Sequence, residues 1–439
     1  MRPSPASPID WAAVPGAESA YRLVRHPSGA RIIVAPMRER ASVSLALMFG
    51  VGSRHETATT TGLAHFIEHM VFKGARRYPT ARAISEAIEG VGGALNAATD
   101  KEITLYWAKV PRAHLELAVD VLSDMVFHAG FDSDELRKER QVVIEELRMY
   151  QDNPQDYVHT LFDEVMWPGH PLGRDTAGTE ATVRSFERDD CLHHLRRHYH
   201  ADNLVISVAG ALDGDGVAER LGAAVEGWGH GPRPVFEAAA PPPEEPRLRL
   251  LSKRTEQANL VVGARSASYL SPDRYPVDVL NAVLGEGMSS RLFLELRERR
   301  GLAYDVHSFT IKHRDTGCVG VYLGCEPRRA VTALAAAVAE LERLAAEPVA
   351  EPELEKAREY CKGRLELQLE GTNALCNFLG QQELLCGGIE TPAEVVARLD
   401  AVTAADLRRV AGEALASGLR GAVIGPFRSP EKFMTMLTR

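Results

Sequence analysis

Apolar and polar positions change period several times along the chain, and each change marks an element. RLVRHPSGARIIVAP reads as a hairpin turning at Pro27, Ser28 and Gly29, and SVSLALMFGVG, from Ser42, alternates like a strand. At HFIEHMVF the period lengthens to that of a helix, with Thr60 and Thr61 placed to cap its start. A second helix follows from about Thr80 and is broken by Gly92 and Gly93, after which ALNAATD and ITLYWAKV read as paired strands. Two more helices start near Arg112 and Asp132, the latter announced by Asp132, Ser133 and Asp134. Strands mixed with long helices in each half predict an α+β fold.

The stretch Gly231 to Arg247, GPRPVFEAAAPPPEEPR, has no apolar period, and its prolines lack amide donors. It divides the chain into nearly equal parts, a first domain over 1–230, a linker over 231–247 and a second domain over 248–439. Two stretches of the first part recur in the second in the same order. FDSDELRKERQVVIEELRM matches VAEPELEKAREYCKGRLEL with Leu136 over Leu354, and LHHLRRHYHADNLVISVAG matches LRRVAGEALASGLRGAVIG with Gly210 over Gly425. The expectation is two similar domains, each an antiparallel-rich sheet covered by helices, arising from an internal duplication.

Composition narrows the partners. The 439 residues are 45% hydrophobic and 25% charged, as in an ordinary globular protein, and carry a formal net charge of −9. No generalised basic surface is available for a phosphate backbone, so nucleic acid is not an expected partner and a basic peptide is a better one. The 6 cysteines nowhere form C-x-x-C and read as reduced core thiols. The N-terminal stretch has prolines where a signal peptide needs an apolar run, and no segment is apolar enough for a membrane helix, so the expected compartment is the cytoplasm.

Chemistry concentrates at His65-Phe66-Ile67-Glu68-His69. Histidines four apart stack on one face of a helix, where two imidazoles can bind one tetrahedral zinc. Glu68 projects near that face without needing to be a ligand, placed to take a proton from a metal-bound water. A third protein ligand is required, and the helix LRKERQVVIEELRM offers Glu139, Glu145 and Glu146. Glu139 and Glu146 lie two turns apart on one face, whereas Glu145 is rotated about 100° from Glu146. The other histidine-rich stretch, CLHHLRRHYHADN, contains the pair His194 and His198, but no acid stands in the base position and Arg196 and Arg197 repel a cation. It reads as a surface or packing helix.

GSRHET, GLAHFIEHMVFKG, NAATDKEITLYW and KERQVVIEEL together resemble the inverted zinc-site metallopeptidases: the pitrilysin, insulin-degrading enzyme and mitochondrial processing peptidase family. The likeness runs from about Tyr21 to Leu437 and is closest to short-chain bacterial members related to the processing peptidase β subunit. It implies one Zn2+ per chain on His65, His69 and Glu146, Glu68 as general base, and Glu139 supporting the site from behind. It further implies that Arg297 and Tyr304, in GMSSRLFLELRERRGLAYDVHS, hold the scissile peptide and its developing oxyanion. LNAATD resembles the edge strand that pairs with an extended substrate, with Asn96 and Ala97 as contacts. Two acids that follow the third ligand in the mitochondrial enzyme match Asp156 and Thr160, leaving Asp156 alone to take a substrate arginine.

In the second half Arg364 stands opposite Glu146, and no H-x-x-E-H occurs near Asn281 to Arg291, so one domain is catalytic and the other metal-free. The resemblance therefore implies a zinc endopeptidase acting on extended peptides, such as leaders, presequence-like segments or degraded chains. Long family members close four domains around the peptide, so this chain is expected to pair into a homodimer, with Arg297 and Tyr304 serving the partner's zinc. A heterodimeric peptidase, a scaffold relative and a metal-binding module are the alternatives.

Overall fold

The computed structural model describes residues 12–13, 20–212, 216–241, 243–244 and 247–438, so most of the N-terminal proline-bearing stretch and residues 242, 245 and 246 of the linker lie outside it. The strands of the first half are β1 (Ala12–Ala13), β2 (Ala20–Arg25), β3 (Arg31–Pro36), β4 (Ser42–Phe49), β5 (Ala94–Thr99), β6 (Thr104–Pro111) and β7 (Leu204–Gly210). Those of the second are β8 (Leu248–Ser252), β9 (Ala258–Ser266), β10 (Asp305–Lys312), β11 (Gly317–Cys325) and β12 (Arg420–Gly425). The helices begin with α1 (Leu63–Val71), α2 (Ala81–Glu89), α3 (Leu115–Phe127), α4 (Ser133–Asp152) and α5 (Pro154–Met166). They continue with α6 (Glu180–Ser185), α7 (Arg188–His198), α8 (Val217–Ala224), α9 (Arg274–Leu284) and α10 (Ala330–Ala346). The last are α11 (Glu351–Leu369), α12 (Thr372–Cys386), α13 (Pro392–Asp400), α14 (Ala404–Ala416) and α15 (Glu431–Leu437).

Two sheets form, of seven and five strands, and the order of the five matches that of β3-β7-β4-β6-β5 in the seven. The first runs β1-β2-β3-β7-β4-β6-β5 and the second β8-β12-β9-β11-β10. In each, the strand that follows the late helix of the repeat (β7 after α7, β12 after α14) lies between a parallel neighbour and an antiparallel one. Every other pairing is antiparallel. A five-strand order shared by two sheets, built from segments that already match in sequence, is the architecture of a duplicated α+β domain, to which the first sheet adds β1 and β2. Among the described residues of 231–247 no helix or strand forms.

The compact units gather segments from both halves of the chain. One comprises Met1–Ile144, Thr176–Phe236 and Glu366–Glu394, the other Glu145–Asp175, Glu237–Leu365 and Val395–Arg439, so the division falls inside the continuous helix α4. The first unit's sheet is covered by α12, from late in the chain, which packs on β4 and β7. Ser207 Oγ on β7 donates to the Cys376 carbonyl of α12 at 2.7 Å, and Arg31 on β3 donates to the Glu383 carbonyl at 3.1 Å. The second unit's sheet is covered by the early helix α5, whose Val158, Leu161, Phe162, Val165 and Met166 share a core with Val261, Tyr322 and Ile424. Amphipathic periodicity shows that a helix will bury one face, not which sheet it will bury it against.

Helix α1 starts differently from its sequence-based expectation. Neither Thr60 nor Thr61 caps it; the N-cap is Gly62, at φ 94° in the left-handed region that favours glycine. Its free amides are met by a carboxylate instead. Glu56 accepts from Gly62 N and from Ala64 N, each at 2.7 Å, placing negative charge at the positive end of the helix dipole. At α2 the expectation holds, since Thr80 accepts from Ala83 N.

Candidate metal centre

α1 presents two faces. Leu63, Ala64, Phe66, Ile67, Met70 and Val71 are buried in the core, which leaves His65, Glu68 and His69 together on the less buried side. The imidazole rings of His65 and His69 are 4.6 Å apart between centroids. Burial, with His69 adding repulsion, pushes the His65 pKa down to about 4, so the ring is neutral, the form that binds a metal.

α4 contributes its acids at two depths. Leu136, Val143, Ile144 and Leu147 pack into the core, and Glu139 is buried with them. Glu139 accepts from His69 Nδ1 at 2.8 Å and pairs with Lys73 Nζ at 2.6 Å. Burial alone would raise its pKa, but the bonds from His69 and Lys73 outweigh that and hold it below the usual carboxylate range. An ionised carboxylate can only accept, so His69 donates from Nδ1, and in the neutral ring that leaves the lone pair on Nε2. Two turns on, Glu146 is half-buried, whereas Glu145 is exposed and accepts from Arg148 at 2.7 Å.

His65, His69 and Glu146 each offer a ligand atom, and these atoms all lie within 4.8 Å of one another. Two imidazoles and a carboxylate in this proximity, one imidazole oriented by a buried acid, fit a zinc ion that keeps a fourth position open. Glu68 stands beside this set, and its Oε2 accepts from Thr99 Oγ1 at 2.6 Å. The phenols of Tyr106 and Tyr199, 3.0 Å apart and buried, are near enough for its charge to add to the rise that burial imposes on both.

The equivalent place in the second repeat is filled by an ion network. Lys312 on β10 pairs with Asp278 on α9, and Asn281 donates to Glu286. Glu286 is held above the usual carboxylate range by burial, with Arg364 and Lys312 pulling the other way. Lysine and arginine charges thus stand where the first repeat offers ligands.

The remaining sequence candidates fall as follows. β5 is the last strand of its sheet and has β6 on one side only, with no strand on its other edge among the described residues. Asn96 is exposed, and its Oδ1 accepts from the N–H of Ala97 at 2.8 Å. The Arg297 guanidinium lies 5.3 Å from the ring centroid of Tyr304, itself 74% exposed, and 4.9 Å from that of Phe293. Asp156 is exposed in the first turn of α5 and accepts from Asn153 Nδ2 at 2.5 Å.

His194 and His198 face inward on α7 while His193, Arg196 and Arg197 face out. Burial, with neighbouring histidines adding to it, lowers both pKa values, that of His198 to about 3. These are neutral packing groups. Sequence reasoning missed Glu56, Lys73 and Thr99, since each is an ordinary residue until the fold brings its partner near.

A family model described as insulinase, peptidase family M16, matches residues 31–180, and one described as the peptidase M16 inactive domain matches residues 185–361. The chain belongs to peptidase family M16. Within the M16 family it is 36% identical over 411 residues to an uncharacterized zinc protease of Streptomyces coelicolor, covering 92% of this chain and 89% of that one. It is 39% identical over 388 residues to an uncharacterized zinc protease of Bacillus subtilis, covering 88% and 92%. Its fold matches that of a Helicobacter pylori protease with TM-score 0.84 at 22% identity, over 92% of this chain and 99% of the other. The matched inactive-domain model overlaps the half that carries the ion network in place of ligands. Among the described residues no helix is long and apolar enough to cross a membrane.

Proposed function

We propose that this M16 chain is a zinc-dependent endopeptidase that holds one Zn2+ on His65, His69 and Glu146. The observation that carries the reading is the convergence of these three ligand atoms beside a fourth group, Glu68, that stands outside the ligand set. The names of its relatives, zinc proteases at 36% and 39% identity, support the same activity. When bound, zinc lowers the pKa of a coordinated water and polarises the peptide carbonyl.

The chain's own groups do the rest. Glu68 takes the proton of the attacking water and delivers it to the leaving amine. Glu139, fixed by Lys73, favours the His69 tautomer that would leave Nε2 to hold the metal. The open edge of β5 takes an extended peptide by backbone pairing, which gives affinity with little sequence selectivity, and Asn96 and Ala97 contribute contacts there. Leader segments, presequence-like peptides and degraded chains all meet that requirement, and Asp156 would favour a basic side chain.

The assay is metal analysis together with mass spectrometry of a digested peptide library. About one zinc per chain is expected, with internal bonds cut, cleavage lost on chelation and regained with zinc. Zinc without cleavage would leave only a metal-binding module, and cleavage indifferent to chelation would exclude the metal mechanism.

Arg297 and Tyr304, stacked on each other, can donate to a peptide carbonyl without competing for zinc, and we assign them to the oxyanion of a partner chain's site in a homodimer. Mixing a Glu68→Gln chain with an Arg297→Ala chain is then expected to restore activity, since one site per mixed dimer keeps both groups. No recovery, with mixed dimers shown to form, would contradict action in trans and favour a heterodimer with a related subunit or action within one chain.

A further inference from the structure

We infer that Thr99 is a positioning residue for Glu68: its hydroxyl orients the proton-accepting carboxylate from the strand along which substrate is expected to lie. The inference rests on the endopeptidase reading above and adds a residue to it. Thr99 ends β5, whose alternation puts Leu95, Ala97 and Thr99 on one half-buried face and Ala94, Asn96 and Ala98 on the exposed one. α1 packs against β5. The Thr99 hydroxyl donates to Glu68 Oε2 at 2.6 Å, the short length of a bond to a charged acceptor.

The donor is fixed by the hairpin that carries it. Thr99 lies opposite Thr104, and Thr104 Oγ1 donates to the Val51 carbonyl at 2.9 Å. The turn beyond it is closed by Asp100 N to Ile103 O at 2.8 Å, and Ser53 N and Arg54 N bond to the carbonyls of Asp100 and Lys101 at 3.1 and 2.8 Å. A threonine is stiff at χ1, whereas a glutamate carboxylate turns on three bonds, so the clamped hairpin sets the direction of the flexible acid.

A bond that merely tied strand to helix would affect folding and metal affinity; one that aims the base affects turnover. Thr99→Val keeps shape and removes the donor. The expected result is a kcat lower by about tenfold to a hundredfold, the scale of a hydrogen bond to a charged group, with KM and the zinc dissociation constant from chelator competition both within about twofold of wild type. Thr99→Ser is expected to stay within about threefold of the wild-type kcat. In a Glu68→Gln background Thr99→Val should add nothing, because the group it serves is gone. In crystals of the metal-free protein Glu68 should take one orientation in wild type and several in Thr99→Val.

Wild-type kcat in Thr99→Val beside an inactive Glu68→Gln would overturn the role of Thr99 and leave the endopeptidase standing; a fully active Glu68→Gln would remove Glu68 as the base and the role of Thr99 with it, and only a wild type that binds zinc and cleaves nothing would bring down the endopeptidase itself. A Thr99→Val that loses zinc or raises KM in step with the fall in kcat would also overturn it, showing a structural bond. If the valine variant does not fold, Thr99→Ala against Thr99→Ser supplies the same comparison, with alanine slow and serine near wild type.

Discussion

Glu68→Gln is expected to lower kcat/KM on an internal peptide bond by about a thousandfold, within the range a general base contributes, while the protein keeps one zinc per chain and its melting temperature. The substitution is close to isosteric. Its amide oxygen can still accept from Thr99, so the contact at 2.6 Å need not be lost. What glutamine cannot do is take a proton from water and return it to the leaving amine. Because Glu68 is outside the ligand set, metal affinity and turnover should separate in this variant. Peptide cleavage followed alongside metal analysis makes the measurement, and activity within about tenfold of wild type would show that some other group is the base.

A second set of substitutions tests the phase of α4. Its three acids are expected to rank sharply in their effect on zinc affinity, measured by competition with a chelator. Glu145→Gln should change nothing, since Glu145 is exposed and bonded to Arg148. Glu139→Gln should weaken zinc by about 10- to 100-fold, the usual cost of losing the partner that orients a ligating histidine. Glu146→Gln should weaken it further still, because it removes a ligand oxygen's charge. If Glu139→Gln and Glu146→Gln exchanged places, Glu139 would be the ligand and the bond from His69 Nδ1 would need another explanation.

These expectations show where reading the chain reached the site and where it stopped. His65, Glu68 and His69 were legible because spacings of three and four on a helix fix a shared face whatever the fold does. The acids of α4 were legible only as a set. Helix phase paired Glu139 with Glu146, but depth separates their parts: Glu139 lies among Leu136 and Val143, and Glu146 lies a little farther out. Thr99 gave no signal, since a threonine at the end of a strand is commonplace and its meaning comes from α1 packing on β5. Glu56 gave none either, because a cap six residues before the N-cap depends on a turn the local pattern does not encode.

The same limit applies to the fold. The repeat was visible in α4 against α11 and in α7-β7 against α14-β12, and the two sheets share the order of five strands. The exchange by which α12 covers β4 and β7 while α5 covers β9 and β12 was not visible. Both are ordinary amphipathic helices, and the choice of sheet is made by long-range packing such as that of Val158 and Phe162 on Val261 and Tyr322.

The most direct measurement is diffraction from zinc-loaded crystals on both sides of the zinc absorption edge. One strong anomalous peak per chain is expected, about 2.0–2.2 Å from a ring nitrogen of His65, Nε2 of His69 and a carboxylate oxygen of Glu146, with Glu68 and Glu139 outside that distance. A peak at His194 and His198 instead, or one bound through Glu139 with Glu146 turned away, would contradict it.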